Sequence, residues 1–142
     1  MRWWDIAEAV AIEGELFGAS AWSAAQFWGE LAQENRTYVV VEDESGLVAY
    51  AGLMTVSPTA DIQTIAVAPR AQRRGIATQI LNHLLSVADA AGCRQTFLEV
   101  RGDNRAAVAL YERAGFVPIA NRTSYYGPGE DAVIMRRDRG PA

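Results

Sequence analysis

One carboxylate stands inside a run that is otherwise uncharged and alternates like a β-strand. Glu99 lies in segment 95–100, Gln-Thr-Phe-Leu-Glu-Val, on the same face as Phe97. Burial raises the pKa of a glutamate toward neutrality, where the carboxylate can take a proton from an ammonium group. A glutamate at a strand end that simply reaches water fits the same spacing. The segment therefore offers either a general base or an ordinary surface residue.

A polar residue and a tyrosine share one face of the helix predicted after this strand. Asn104 is a good N-cap, and Tyr111 lies seven positions further on. Two turns separate them, roughly 10 Å, which suits a long thin ligand lying along the helix. The Tyr111 hydroxyl is a candidate proton donor to a departing thiolate. The alternative is a ring in the core with its hydroxyl at the edge, as is common for helical tyrosines.

A basic turn joins a second strand-like run, residues 61–68, to an amphipathic segment, residues 75–91. The turn reads Gln72-Arg73-Arg74-Gly75-Ile76-Ala77, and Arg70 precedes it. The first amides of a helix lack internal partners and carry partial positive charge, so they can hold a phosphate or pyrophosphate through the backbone. A solvated basic turn before an ordinary core helix has the same sequence, and both interpretations stay open at this point.

The composition excludes several functional classes. All 13 basic residues are arginine. A P-loop, a pyridoxal phosphate site and a protein kinase each need a lysine, so those classes are excluded. Cys93 and His83 are the single cysteine and the single histidine. They argue against an internal disulfide, a Cys-rich zinc site and a Ser-His-Asp triad, and we expect no metal site.

The net charge of -4 is distributed unevenly along the chain. Residues 1–69 carry 10 acidic and 2 basic residues, net -8, whereas residues 70–142 carry 7 acidic and 11 basic residues, net +4. This asymmetry suits an anionic cofactor at the basic turn and a cationic second substrate, although scattered solvated charges produce the same totals. The acidic total and the lack of basic patches interleaved with aromatics argue against nucleic-acid binding.

Length and hydrophobicity fit one domain covering residues 1–142. The chain has 142 residues, of which 50% are hydrophobic. The sequence has no apolar run of membrane-spanning length and no signal-peptide pattern at its N-terminus, so we expect a cytoplasmic protein that does not contact a membrane. Its oligomeric state stays open.

Capping and alternation patterns predict an α/β or α+β fold. Capping boxes at Asp5–Glu8 and Ser23–Gln26 open helices over 6–17 and 24–34. The remaining predicted elements are strands at 37–42, 47–55, 61–68, 95–100, 116–120 and 132–136, and helices at 75–91 and 104–114. This order demands a mixed, mostly antiparallel central sheet flanked by helices. Because such a sheet usually begins with a strand, residues 1–4 are predicted to be the end of a short or truncated first strand.

Taken together, these segments resemble the GNAT acetyltransferase superfamily over residues 5–136. Ile65-Ala66-Val67 with the turn 72–77 is similar to its acetyl-CoA signature, Gln/Arg-x-x-Gly-x-Gly/Ala, in which Ala77 replaces the second glycine. Within the superfamily, the chain is more similar to the enzymes that acetylate the N-terminal alanine of small-subunit ribosomal protein eighteen. That likeness rests, in order and spacing, on residues 97–101, Asn104, 109–112, Gly115-Phe116, Tyr125-Tyr126 and 130–135.

The resemblance implies acetyl-CoA as co-substrate and a role for each matched position. The backbone of Ile65, Ala66 and Val67 would pair with the pantetheine arm and polarise the thioester carbonyl. Six consecutive residues would cradle the pyrophosphate: Arg73, Arg74, Gly75, Ile76, Ala77 and Thr78. Asn104 would make a further contact with the cofactor. Glu99 would be the general base, acting through water on the α-amine, and Tyr111 the acid that protonates the CoA thiolate. Tyr125 and Tyr126 would line the peptide entrance.

The activity implied is acetyl-CoA-dependent N-alpha-acetylation of a protein N-terminus, with the alanine of a ribosomal protein as acceptor. One alternative keeps the fold and changes the acceptor to a small-molecule amine or a protein lysine. Another is a non-catalytic acetyl-CoA-binding partner that regulates a complex. The presence of both Glu99 and Tyr111 argues against this last alternative, because a binding module needs neither.

Overall fold

The element order agrees with the predicted order. The computed structural model describes residues 1–127 and 130–139, and the side chains of all of these except 124–127 and 130. The helices and strands are α1 (Ile6–Phe17), α2 (Ala24–Leu31), β1 (Arg36–Asp43), β2 (Gly46–Val56), β3 (Thr59–Val67), α3 (Ile76–Ala90), β4 (Gln95–Arg101), α4 (Arg105–Arg113), β5 (Val117–Gly127) and β6 (Glu130–Asp138). Short 3-10 turns lie at Trp3–Asp5, Gly18–Ser20 and Pro69–Ala71.

The six strands form one mixed sheet in the order β1-β2-β3-β4-β6-β5. Only β3 and β4 pair in parallel, and every other neighbouring pair is antiparallel. This confirms the predicted mixed, mostly antiparallel sheet. The parallel pair is the place where the chain crosses over through α3, so it brings the basic turn before α3 close to the middle of the sheet.

The pairing of β3 with β4 covers only the first part of the two strands. Registered pairs run from Thr59–Gln95 to Ile62–Leu98. The next residue, Gln63, has no partner in β2, because the β2–β3 register shifts between Gly52 and Leu53. Such a bulge bends a strand and increases its twist. Beyond it, β3 is paired with β2 alone within the described residues. We call the opening between the C-terminal halves of β3 and β4 the β3–β4 gap.

The two faces of the sheet are covered to different extents. α3 buries the residues that its periodicity predicted, namely Ile76, Ile80, Leu81, Leu84, Leu85 and Ala88, in a core shared with β3, β4 and α4. On the opposite face, α1 and α2 contact β1, β2 and β3, with Phe27 at the centre of a second core. The part of this face formed by β4, β6 and β5 lies beside these helices rather than beneath them.

The N-terminal residues correct two predictions. Residues 1–4 do not pair as the end of a strand, since Trp3–Asp5 form a 3-10 turn and the Met1 amine donates a hydrogen bond to the Tyr38 carbonyl. The capping box at Asp5 is also wrong, because that carboxylate accepts from the Arg2 amide at 2.8 Å. The Ser23–Gln26 box is confirmed, with both of its hydrogen bonds formed. Among the described residues, no helix combines the length and apolar character needed to cross a bilayer.

Candidate active site

Two left-handed residues build the basic turn before α3. Arg73 has φ of 68° and Gly75, the N-cap of α3, has φ of 77°. A glycine takes this conformation without steric cost, whereas a residue with a side chain pays about 1–2 kcal/mol. No atom lies within 4 Å of a Cβ built at Gly75. The conformation, and not crowding by the protein, is therefore what requires glycine here, and the space beside it is free for a ligand.

The backbone amides of this turn, residues 73–78, have no recorded hydrogen-bond partner in the described part of the chain. The first α3 amide with a backbone partner is that of Gln79, 3.1 Å from the Gly75 carbonyl. A row of free amides at a helix N-terminus is an anion-binding arrangement. This geometry favours the phosphate interpretation of Arg73, Arg74, Gly75, Ile76, Ala77 and Thr78 over the solvated turn.

The arginines of the turn have different surroundings. Arg70 donates to the Leu47 carbonyl at 3.0 Å, and Arg74 Nη1 lies 3.2 Å from Asp43 Oδ2. Both guanidinium groups are thus bound to the β1–β2 hairpin, so Arg74 offers a ligand its backbone amide. Arg73 is exposed and has no recorded partner among the described residues. Its guanidinium is the one in this turn that is available to an anion.

Residues 65–67 border the β3–β4 gap. They pair with Ala51, Tyr50 and Ala49 of β2 on one side. On the other side, the Val67 carbonyl accepts from the Gln72 side chain at 3.2 Å, and no strand pairs with them in the described part of the chain. An extended ligand can therefore add to this edge as a short strand would.

Glu99 lines a cavity of about 490 Å³ on the face that α1 and α2 leave open. We call it the Glu99 pocket; Met54, Phe97 and Ile134 give it apolar walls, and Asp61, Gln63 and Arg122 give it polar ones. The Glu99 side chain is 34% exposed, and its Oε1 lies 3.2 Å from Arg122 Nη1. Glu99 is therefore neither a fully solvated strand end nor a fully desolvated base, but a half-buried carboxylate facing a pocket.

Asp61 is a second carboxylate in the Glu99 pocket, and it is not among the candidate site residues predicted from the sequence. It is in register with Phe97 in the parallel pair, and Phe97 shares a face with Glu99 two residues later. Burial and, secondly, the negative charge of Glu99 raise the pKa of Asp61. An acidic residue within an otherwise uncharged strand is the same signal that singled out Glu99. Asp61 carries the same signal, because it is the one charged residue of β3.

Tyr111 lies on the opposite face of the sheet from Glu99. Its ring is 9% exposed and packs edge-on against Phe116, with ring centroids 5.9 Å apart. Burial raises the pKa of Tyr111 to about 12, so the phenol keeps its proton at neutral pH, as a donor must. The β3–β4 gap lies between the strands that separate these two faces.

Asn104 begins α4 as a cap. Its Oδ1 accepts from the Ala107 amide at 3.2 Å, which confirms the N-cap prediction. The carbonyl end of the side chain is thereby occupied, and its NH₂ group is the part that remains for a ligand.

Comparison with known proteins gives the family. Residues 3–116 match the model of the Acetyltransferase (GNAT) family. The chain belongs to the GNAT acetyltransferase family. It is an acetyl-CoA-dependent N-acetyltransferase.

The relatives of this GNAT enzyme include N-terminal acetyltransferases. It is 39% identical over 142 residues to the N-alpha-acetyltransferase RimI of Mycobacterium tuberculosis, a match covering 96% of this chain and 88% of the relative. An uncharacterized protein of Mycobacterium leprae is 39% identical over 140 residues, which are 94% of this chain but 38% of that longer protein. The crystal structure of the ribosomal-protein-S18-alanine N-acetyltransferase from Escherichia coli superposes with a TM-score of 0.89 at 32% identity, covering 100% of this chain and 92% of that one.

Tyr125 and Tyr126 of this GNAT enzyme lie in a strand rather than in a loop. The backbone of Tyr125 and Tyr126 lies within β5, which runs to Gly127, and not in a loop after a strand that ends at residue 120. The strand is longer than predicted because its second half also pairs with β6. The side chains of Tyr125 and Tyr126, predicted to line the peptide entrance, lie outside the described residues.

Proposed function

We propose that the protein acetylates the N-terminal α-amine of another protein, and that its acceptor is the N-terminal alanine of small-subunit ribosomal protein bS18. The observation that carries this proposal is the Glu99 pocket, which places a half-buried carboxylate on an open face beside the β3–β4 gap. The similarity to RimI and to the S18-alanine acetyltransferase supports the choice of acceptor. The acidic first half of the chain, net -8 from 10 acidic and 2 basic residues, suits a basic peptide.

The proposed path for acetyl-CoA follows the free backbone groups. The amides of residues 73–78 hold the pyrophosphate, with added charge from the Arg73 guanidinium. The pantetheine arm lies along residues 65–67, whose outer edge lacks a strand partner in the described structure. The Asn104 NH₂ group makes a further contact. The phosphate turn and the unpaired edge follow one another along the chain, which supports a single extended ligand.

The proposed chemistry is direct transfer without an acyl-enzyme. Glu99 takes a proton from the acceptor amine, through a water molecule, and the amine nitrogen then attacks the thioester carbonyl carbon. The new C–N bond forms, the C–S bond breaks, and Tyr111 gives its proton to the departing sulfur. The nitrogen releases its second proton to solvent as the amide forms, and solvent returns a proton to the Tyr111 phenolate. Because the pKa of an α-ammonium group is near 8, its deprotonation before attack costs little free energy at neutral pH.

The acidity of Tyr111 places a condition on this last step. A phenol with a pKa of about 12 is a weaker acid than a thiol in water, whose pKa is near 8.5. Transfer becomes favourable when the thiolate sits in the same desolvated surroundings, since burial raises a thiol pKa as well. The buried Cys93 thiol, whose pKa is raised by burial, is an example within this chain.

An acceptor screen with mass readout tests the proposed function. The panel consists of a bS18 N-terminal peptide starting with alanine, the same peptide blocked at its N-terminus and carrying an internal lysine, and a polyamine. We expect one acetyl group on the first peptide and none on the others. Transfer to the lysine or the polyamine, with none to the alanine peptide, would contradict the proposal.

A further inference from the structure

The Glu99 pocket contains two carboxylates but, among the described residues that line it, one cation. Arg122 faces Glu99 at 3.2 Å. Asp61 has no hydrogen bond or ion pair recorded within the described part of the chain, and the interaction that does act on it is repulsion by Glu99. The neighbouring Gln63 is uncharged, and its Oε1 accepts a hydrogen bond from the Tyr38 hydroxyl at 2.7 Å.

An unpaired carboxylate in this position is unfavourable in the free enzyme. Partial burial removes hydrating water from Asp61, and the like charge of Glu99 adds repulsion. Both effects favour protonation and raise the pKa of the group. A cation in the pocket would offset both the lost hydration and the repulsion. Binding of an ammonium group should therefore stabilise Asp61 more than it would stabilise a solvated carboxylate.

The location of Asp61 matches the path of an incoming amine. It precedes Ile62, the last residue of β3 that pairs with β4, so it lies where the β3–β4 gap begins. The walls supplied by Met54, Phe97 and Ile134 provide an apolar surface for a short side chain next to the charged group. A small residue with a free ammonium group fits this combination.

We propose that Asp61 binds the α-ammonium group of the acceptor before transfer and that this contact selects a charged N-terminus. The inference rests on the proposed function, because it takes the acceptor to be a peptide α-amine. The two carboxylates then have separate tasks. Asp61 holds the ammonium, and Glu99 takes its proton.

The test compares two peptides that differ only in their charge at the first residue. One is the alanine-starting bS18 peptide, and in the other lactic acid replaces alanine, which keeps the methyl group and exchanges the ammonium for a hydroxyl. Calorimetry in the presence of CoA gives the Kd of each for the wild type, Asp61→Asn and the control Asp138→Asn. Asp138 is an exposed carboxylate at the far end of β6, with a side chain 59% exposed.

We expect the wild type and Asp138→Asn to bind the alanine peptide about tenfold to a hundredfold more tightly than the lactyl peptide, the range for a charged hydrogen bond. In Asp61→Asn the preference is lost, because only the alanine peptide binds more weakly. Asp61→Glu restores part of it. Unchanged CoA affinity shows that the variants are folded, and Asp61→Thr, a neutral residue suited to a strand, replaces Asp61→Asn if that variant does not fold.

Two results overturn the inference in distinguishable ways. If the wild type acetylates the alanine peptide and the neutral Asp61 variant keeps the preference, the contact is refuted and the proposed function stands. If the wild type binds neither peptide and acetylates the polyamine instead, the proposed acceptor and the contact fall together.

Discussion

The turn before α3 and the Glu99 pocket both border the β3–β4 gap, but they are built from different atoms. The turn offers main-chain amides of six consecutive residues, 73–78, arranged by the left-handed Gly75. The pocket offers charged side chains from three strands, Asp61 on β3, Glu99 on β4 and Arg122 on β5. A backbone site depends on conformation, whereas a side-chain site depends on charge. Substitutions should therefore damage cofactor binding and proton transfer separately.

The largest effect is expected for Glu99→Gln. Removal of a general base lowers turnover by about 10²–10⁴-fold, and kcat should fall by that amount while the Kd of acetyl-CoA changes less than twofold. Steady-state kinetics with the alanine peptide and calorimetry with acetyl-CoA measure the two quantities. Glu112→Gln, an exposed glutamate next to Tyr111 on α4, is the control and should leave both unchanged. Unchanged turnover in Glu99→Gln would refute the base assignment.

Tyr111→Phe is expected to lower kcat by about 10²-fold, the lower end of the range for a general acid, because the thiolate loses its proton donor but keeps its position. Burial favours the neutral phenol and raises its pKa to about 12, so this group titrates around that pH. The pH dependence of kcat in the wild type should accordingly show no decline assignable to Tyr111 below about pH 11. An alkaline decline near pH 9 that Tyr111→Phe abolishes would contradict the low acidity of this phenol.

Gly75→Ala tests the backbone site. A side chain at φ of 77° costs about 1–2 kcal/mol, and the added methyl group lies where the ligand approaches, so the Kd of acetyl-CoA should rise about tenfold with kcat at saturation unchanged. Gly14→Ala is the matched control, since Gly14 is an exposed glycine inside α1 with no atom within 4 Å of a built Cβ. It should stabilise the fold by about 1 kcal/mol and leave the Kd unchanged.

The smallest effect concerns stability. Because the folded protein raises the pKa of Asp61, the protonated form is the stabilised one, and stability is lost as pH rises through the folded pKa. Asp61→Asn removes this partly exposed charge and should raise the Tm by about 1–2 °C at pH 7. This gain in Tm should vanish at about pH 3, below the ordinary pKa of an aspartate, where the wild-type carboxyl is also neutral. Thermal melts at the two pH values measure it, and a Tm lower at pH 7 than that of the wild type would show that Asp61 stabilises the free enzyme.

The two regions were predictable from the sequence to different degrees, for a physical reason. The turn is local: the periodicity of α3 and the position of Gly75 sufficed to predict a helix N-terminus. Only the partners of its arginines could not be predicted locally, since Arg74 pairs with Asp43 of a hairpin distant in the sequence. Glu99 stood out as an isolated carboxylate in a strand.

The rest of the Glu99 pocket is non-local. Asp61 and Arg122 lie next to Glu99 because of the parallel register of β3 with β4 and the length of β5. Neither is encoded in a short stretch of chain. The N-terminus shows the opposite case. A local turn around Arg2 and Asp5 forms there instead of the strand expected from the fold class.

The double variant Gly75→Ala/Glu99→Gln tests the separation of the two regions most directly. The Kd of acetyl-CoA by calorimetry and the single-turnover rate at saturating acetyl-CoA are measured for both single variants and for the double variant. We predict that the double variant has the Kd of Gly75→Ala and the rate of Glu99→Gln, because sites without shared partners contribute additively. Two results would contradict this separation of cofactor binding from proton transfer. One is a Kd of acetyl-CoA that shifts by more than tenfold in Glu99→Gln alone, and the other is a double variant that departs from additivity by more than tenfold.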